Sequence, residues 1–206
     1  NPAVASFTNL STGTPPLSYQ WNFGVNAGVN SILTNPSTTY LNCGTYVVTL
    51  TVTDGNGQTN IKTQSITIHC MPTASFITTG ASGCAPLVST LSSTSTAGSG
   101  VISSYQWDFG DGSPTGSGSS VTHTYTTQGC KTVTLIVTNS FGCSDDTTLA
   151  AAVCVTTKPN ITYNATPLNA CSAPLTTTYN SNVSGGTAPF SYQWSFPGGS
   201  PSSSTN

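Results

Sequence analysis

The densest concentration of groups able to do chemistry is SYQWDFGDGSPTG, Ser104 to Gly116, where Asp108 and Asp111 flank a glycine turn directly after Tyr105 and Trp107. Two carboxylates this close could ligate Ca2+ or act as acid and base on a glycosidic bond. Calcium wants six to eight oxygens, and no other acidic residue lies near in sequence. Asp108 and Asp111 are thus a bare Ca2+ candidate. They read instead as acceptors for the N–H groups of a tight turn.

The other reactive side chains are sparse. His69 and His123 are the two histidines, and nucleophilic catalysis would need one of them beside a Ser or Cys and an acidic orienter. Glycines cluster with Ser and Thr rather than between a strand and a helix, so no phosphate-cradling loop is present. Cys43, Cys70, Cys84, Cys130, Cys143, Cys154 and Cys171 show no C-x-x-C spacing of the zinc-binding kind. No catalytic residue, cofactor or metal is expected.

Charge narrows the classes further. The 206 residues carry 3 Lys+Arg and 5 Asp+Glu, for a formal net charge of −2. That offers no basic face to nucleic acid or anionic lipid. No apolar run approaches the ~18 residues of a spanning helix, so membrane insertion is not expected. The N-terminal NPAVASFTNLSTG has neither the basic nor the apolar region of a signal peptide. Seven cysteines without a metal pattern point to disulfides and an oxidising compartment outside the cytoplasm.

The elements that position these residues recur along the chain. YQW occurs at Tyr19–Trp21, Tyr105–Trp107 and Tyr192–Trp194, 86 and 87 residues apart. PAVASFTNLS from Pro2 matches PLVSTLSSTS from Pro86 and PLTTTYNSNV from Pro174. TYLNCGTYVVTLTVTDGNG from Thr39 matches TYTTQGCKTVTLIVTNSFG from Thr124. A period of this size is that of one small domain. We read residues 1–70 as a first repeat lacking its upstream segment, 71–154 as a whole second repeat, and 155–206 as the opening part of a third.

Within each copy the apolar period is two. Tyr46, Val48, Leu50 and Val52 alternate with Val47, Thr49, Thr51 and Thr53, and Val133, Leu135 and Val137 with Thr134, Ile136 and Thr138. This predicts strands, about seven per whole copy, in an all-β array of antiparallel sandwiches. Parity then places Tyr19, Trp21 and Phe23, Tyr105, Trp107 and Phe109, and Tyr192, Trp194 and Phe196 on core faces. Gly110 to Gly112 follows as a turn that tolerates positive φ.

At this point YQWDFGDGSPTG and VTHTYTTQGCKTVTLIVTNSFGCSDD resemble the PKD (polycystic kidney disease) domain, with its W-D-F-G-D-G, H-x-Y and V-T-L-x-V-x-N/D motifs. The first copy follows with YQWNFGVNAG, where Asn22 replaces the first aspartate, and the third departs further with YQWSFPGGS. The resemblance implies Ig-like β-sandwiches in an elongated tandem array. It also puts His123 in a structural H-x-Y and implies spacers, adhesive stalks or accessory modules rather than catalysts. The Cys-bearing, Ser- and Thr-dense version is similar to repeats in long surface proteins of the Bacteroidota, gliding adhesins and type IX secretion cargo among them. The expected role is a cell-surface adhesin stalk whose partners are other repeats of the same chain, surface glycans or neighbouring copies. A self-assembling fibre or sheath subunit and a spacer of a secreted hydrolase are the alternatives.

Hairpin geometry suggests a disulfide map. The midpoint of Cys43 and Cys70 falls inside DGNG, and that of Cys130 and Cys154 inside NSFG, so each pair should clamp the open end of its last hairpin. Cys84 and Cys143 then remain and are expected to pair. Cys171 matches Cys84, and its partner is expected beyond Asn206.

Overall fold

The computed structural model describes residues 2–197 and the backbone of 203–205. All regular elements among the described residues are strands. Packing divides them into two compact units, one comprising the chain up to Ala74 with Ser95–Tyr105 and Ile136–Asp146, the other Ser75–Thr94, Gln106–Leu135 and the chain from Thr147 onward. The division does not follow the repeats, because one end of the second copy packs with the first.

The first copy supplies β1 (Ala3–Ser6), β2 (Ser18–Asn22), β3 (Ser37–Tyr40), β4 (Gly44–Thr53) and β5 (Thr59–Ile68). β1 pairs with β3, and β2, β4 and β5 form an antiparallel sheet in which Trp21 stands opposite Leu50. The alternation of apolar residues with threonine sends one row inward, and Trp21, Phe23, Tyr40 and Val48 are buried together. Phe7 stacks on Phe23 at 5.3 Å, and Tyr46 meets Tyr40 at 4.3 Å. The β4–β5 hairpin turns at Asp54, whose Oδ1 accepts from Asn56 N and Gln58 N, an arrangement that favours Asp or Asn.

The second copy has eight strands rather than about seven: β6 (Phe76–Thr79), β7 (Ser82–Cys84), β8 (Leu87–Ser93), β9 (Ile102–Asp108), β10 (Gly116–Ser117), β11 (Ser120–Tyr125), β12 (Gly129–Asn139) and β13 (Ser144–Thr156). One sheet has the order β11-β8-β6 and the other β10-β9-β12-β13-β7. Leu91, Trp107, Tyr125, Val133, Leu135, Val137 and Val153 have no solvent exposure. Ala151, at φ +54°, interrupts the extended run of β13, and both Ala152 and Val153 are buried where strict alternation would bury one. An extra residue in a strand shifts parity in this way.

The third copy contributes β14 (Asn160–Thr166), paired antiparallel with β15 (Thr178–Ser184), and β16 (Gln193–Ser195), paired with β17 (Ser203–Thr205). Trp194 is half-buried, with Tyr163 edge-on at 5.7 Å and Phe196 stacked at 6.1 Å.

Cys43 is joined to Cys70 and Cys130 to Cys154. In the first hairpin Gly44 pairs with Ile68, so register alone brings the flanking cysteines to the same open end. The expected Cys84–Cys143 bridge is not made, and both thiols are free. β7 runs parallel to the last residues of β13, with Cys84 opposite Thr156, whereas Cys143 immediately precedes the first residue of that strand, Ser144. At about 3.3 Å per residue, a strand of this length keeps its two ends far beyond the reach of a disulfide. Cys171 is a free, exposed thiol, and the partner expected for it beyond Asn206 lies outside the described residues.

Candidate functional site

The candidate site is the end of β9 and the turn after it, packed against β11. Tyr105, Trp107 and Phe109 fall on one side of the extended chain, half-buried, fully buried and buried in turn, while Gln106 and Asp108 are exposed. Trp107 meets Phe76 edge-on at 5.3 Å, and its indole Nε1 donates to Gly118 O at 3.0 Å. Trp21 does the same in the first copy, donating to Leu33 O at 3.0 Å. The polar handle of each tryptophan is thereby used inside its own fold.

The turn is built from its carboxylates. Asp108 Oδ1 accepts from Gly110 N at 2.9 Å. Asp111 Oδ1 accepts from Ser113 N at 3.1 Å and from the Ser113 hydroxyl at 2.5 Å, and its Oδ2 lies 2.8 Å from His123 Nε2. Gly110 has φ +71°, and a Cβ there would run into the Thr132 carbonyl oxygen, so glycine is required on both counts. The imidazole of His123 stacks on Phe109 at 4.0 Å and meets Tyr125 edge-on at 4.6 Å.

Burial pushes the Asp111 carboxyl up, but hydrogen bonds from His123 and Ser113, and the charge His123 can carry, outweigh it and hold the pKa down at about 2. An ionised carboxylate only accepts, so Nε2 of His123 must carry the proton between them. Burial, followed by the charges of Asp111 and Asp108, pushes the Tyr125 hydroxyl up to about 12. That hydroxyl donates to Phe109 O at 3.3 Å, as Tyr40 donates to Phe23 O at 3.1 Å in the first copy. Burial, then Tyr46, raises the Tyr40 pKa.

Ser113, His123 and Asp111 are the three residue types of a hydrolase triad in the wrong arrangement. A triad histidine uses one nitrogen toward the serine and the other toward the carboxylate. Here the same Nε2 faces Asp111 and, at 3.4 Å, Ser113 Oγ. The serine proton goes to the carboxylate, and the imidazole has no free lone pair on that side to take it. The constellation can tie a turn to a strand; it cannot generate an alkoxide.

The structure thus brings Asp111 to His123, which sequence spacing did not pair, and leaves Asp108 with its own turn. It stacks His69 on Phe141 at 3.6 Å, and places two residues that sequence reading passed over: Asn139 is 1% exposed, and Asp145 Oδ2 accepts from Ala74 N. The one hint in the sequence is that Asn139 and Asp54 occupy the same repeat position, where either residue supports a turn.

Two sheets around a buried tryptophan in each of the first and second copies define tandem Ig-like β-sandwich modules. The profile of the PKD domain matches residues 3–70 and again 69–154, and the chain belongs to that family. Among solved structures, the PKD1 domain of Vibrio anguillarum Epp is 31% identical, covering 43% of this chain and 99% of that one, with a TM-score of 0.37. The PKD1 domain from the Vibrio cholerae metalloprotease PrtV is 35% identical over 39% of this chain and 93% of that one, with a TM-score of 0.34. Fibronectin(III)-like modules of Clostridium thermocellum CbhA are 13% identical, covering 76% and 94%, with a TM-score of 0.37.

Proposed function

We propose that these residues are part of the non-catalytic stalk of a large cell-surface adhesin, in which successive sandwiches give extension and their exposed Thr-rich faces contact surface glycans or neighbouring copies. PKD domains and disulfides are typical of extracellular proteins, which supports this reading. No helix among the described residues is long and apolar enough to cross a membrane. The observation that carries the reading is the Nε2 of His123, shared by Asp111 and Ser113: among the described residues, the nearest approach to a catalytic constellation is closed on itself. Threonine pairs such as Thr45–Thr67, Thr90–Thr122 and Thr134–Thr148 line the exposed faces with hydroxyls, chemistry suited to hydrogen bonding with sugars. The gliding and type IX secretion setting belongs to this same proposal.

The test is immunogold labelling of intact source cells, paired with an in-frame deletion of these repeats. Label on the surface and loss of adhesion in the deletion support the stalk. Turnover of a protein, glycan or ester substrate by the purified chain, surviving repurification and abolished in His123→Ala, would overturn it.

A further inference from the structure

The segment joining the first copy to the second is held along its length by side chains and backbone of the second copy, all within the first compact unit. Cys70 N donates to Ser99 Oγ at 2.8 Å, and Cys70 O accepts from Asn139 Nδ2 at 3.1 Å and from Ser99 N at 3.3 Å. Gly98, at φ +67°, lies so close to the Met71 carbonyl that no Cβ would fit. Thr73 and Thr96 exchange backbone hydrogen bonds at 2.9 and 3.0 Å, and Ala74 N donates to Asp145 Oδ2 at 2.8 Å. Beside this run, the His69 ring lies flat on Phe141, 3.6 Å between centroids. Cys70, the last residue of the first copy, is thus held by the second, and Thr73 and Ala74 at the start of the second are fixed beside it.

Asn139 is the centre of the grip. Its Oδ1 accepts from Phe141 N and Cys143 N, both at 3.0 Å, and its Nδ2 donates to Cys70 O and Ala97 O, both at 3.1 Å. The two turn N–H groups fix which end of the amide is oxygen. All four bonds a primary amide readily forms are therefore made, in a residue that is 1% exposed. In the first copy Asp54 occupies the same position, and its Oδ1 likewise accepts from Asn56 N and Gln58 N. Either residue builds the turn. Only the asparagine has hydrogens left to give to carbonyls, and it gives them to Ala97 O of its own copy and to Cys70 O of the copy before, so what is specific to Asn139 is that its donor side joins the two.

We propose that the end of the second copy formed by Ala97–Ser99 and the Asn139–Cys143 turn is a binding surface whose partner is the exit segment, His69 and Cys70, of the repeat before it, and that the Asn139 side-chain amide selects it by reading the Cys70 carbonyl. This goes beyond the stalk reading and does not rest on it. A second joint, wholly within the other compact unit, shares the close glycine approach. Gly185, at φ +70°, sits close against Lys158 O, and Gly186 N donates to Thr157 Oγ1 at 3.1 Å, so the loop after β15 receives the exit segment that follows β13.

NMR-detected amide exchange on the whole 206-residue chain tests the proposal, with Asn139→Asp as the main variant, because aspartate keeps the turn acceptor and loses the donor. The Cys70 and Ser99 amides should exchange about tenfold faster or more, with Phe141 N, Cys143 N and the β12 amides still protected. Phe141→Ala, at a position 51% exposed, removes the stacked ring without touching the core and should speed exchange at His69 and Cys70. Unchanged exchange of the joint amides in both variants would overturn the assignment. So would loss of protection throughout β9 and β12 in Asn139→Asp, since Asn139 would then be a folding residue.

Discussion

His123 Nε2 lies 2.8 Å from Asp111 Oδ2, and that one nitrogen is also the ring atom 3.4 Å from Ser113 Oγ. An imidazole engaged this way pins the turn after β9 onto β11 and has no lone pair on its Nε2 side to take a proton from Ser113. The pair contributes to stability, and its pH dependence follows from the carboxyl.

Asp111 is held at about 2 in the folded protein against an ordinary value of 3.8. A depressed carboxyl stabilises the fold fully above its unfolded pKa, and that contribution is lost as pH falls from near 3.8 through about 2. Asp111→Asn should cost about 1–2 kcal/mol at neutral pH and show a shallower loss of stability over that acid window. Urea unfolding at steps from pH 2 to 7 measures both; parallel curves for wild type and variant would remove Asp111 from the account.

Trp107 has no solvent exposure and Trp194 is half-buried. Trp107→Ala should therefore cost about 3–5 kcal/mol, the range for truncating a large buried aromatic, and Trp194→Ala clearly less. Thermal unfolding of both variants checks the order. A Trp107→Ala protein that melts like wild type but no longer binds a glycan would make this tryptophan a ligand contact.

The thiols give a chemical test. Cys84 and Cys171 are exposed and should be alkylated in the native protein, Cys143 more slowly, while Cys43, Cys70, Cys130 and Cys154 react only after reduction. Removing the Cys130–Cys154 bridge, which closes a loop of 24 residues, should cost about 3 kcal/mol. Non-reducing peptide mapping decides the pattern, and a Cys84–Cys143 peptide would contradict the strand pairing of β7 with β13.

Two glycines of one turn should differ on substitution. Gly110 and Gly112 both have positive φ, at +71° and +81°, but a Cβ on Gly110 meets the Thr132 carbonyl and one on Gly112 meets nothing. Gly112→Ala should cost about 1–2 kcal/mol for the left-handed conformation alone. Gly110→Ala adds a steric clash and should cost more. Equal midpoints in chemical denaturation would show that the turn relaxes away from β12.

Several features of this protein were already determined by residue order. Strand character and the burial of Trp21, Phe23, Trp107 and Phe109 follow from a period of two, because neighbouring residues of an extended chain must face opposite ways. The repeat follows from self-comparison, and the turn at Gly110 from glycine's tolerance of positive φ. Each of these depends on residues a few positions apart. What the tertiary structure alone decided depends on pairings across long separations. Parallel addition of β7 to the far end of β13 separates Cys84 from Cys143, and an aspartate in one turn meets a histidine 12 residues away on another strand. The amide of Asn139 reaches a carbonyl 69 residues back in the chain. Local alternation says which way a side chain points. Which backbone it finds there is set by how the sheets close, and no residue's own neighbours in sequence encode it.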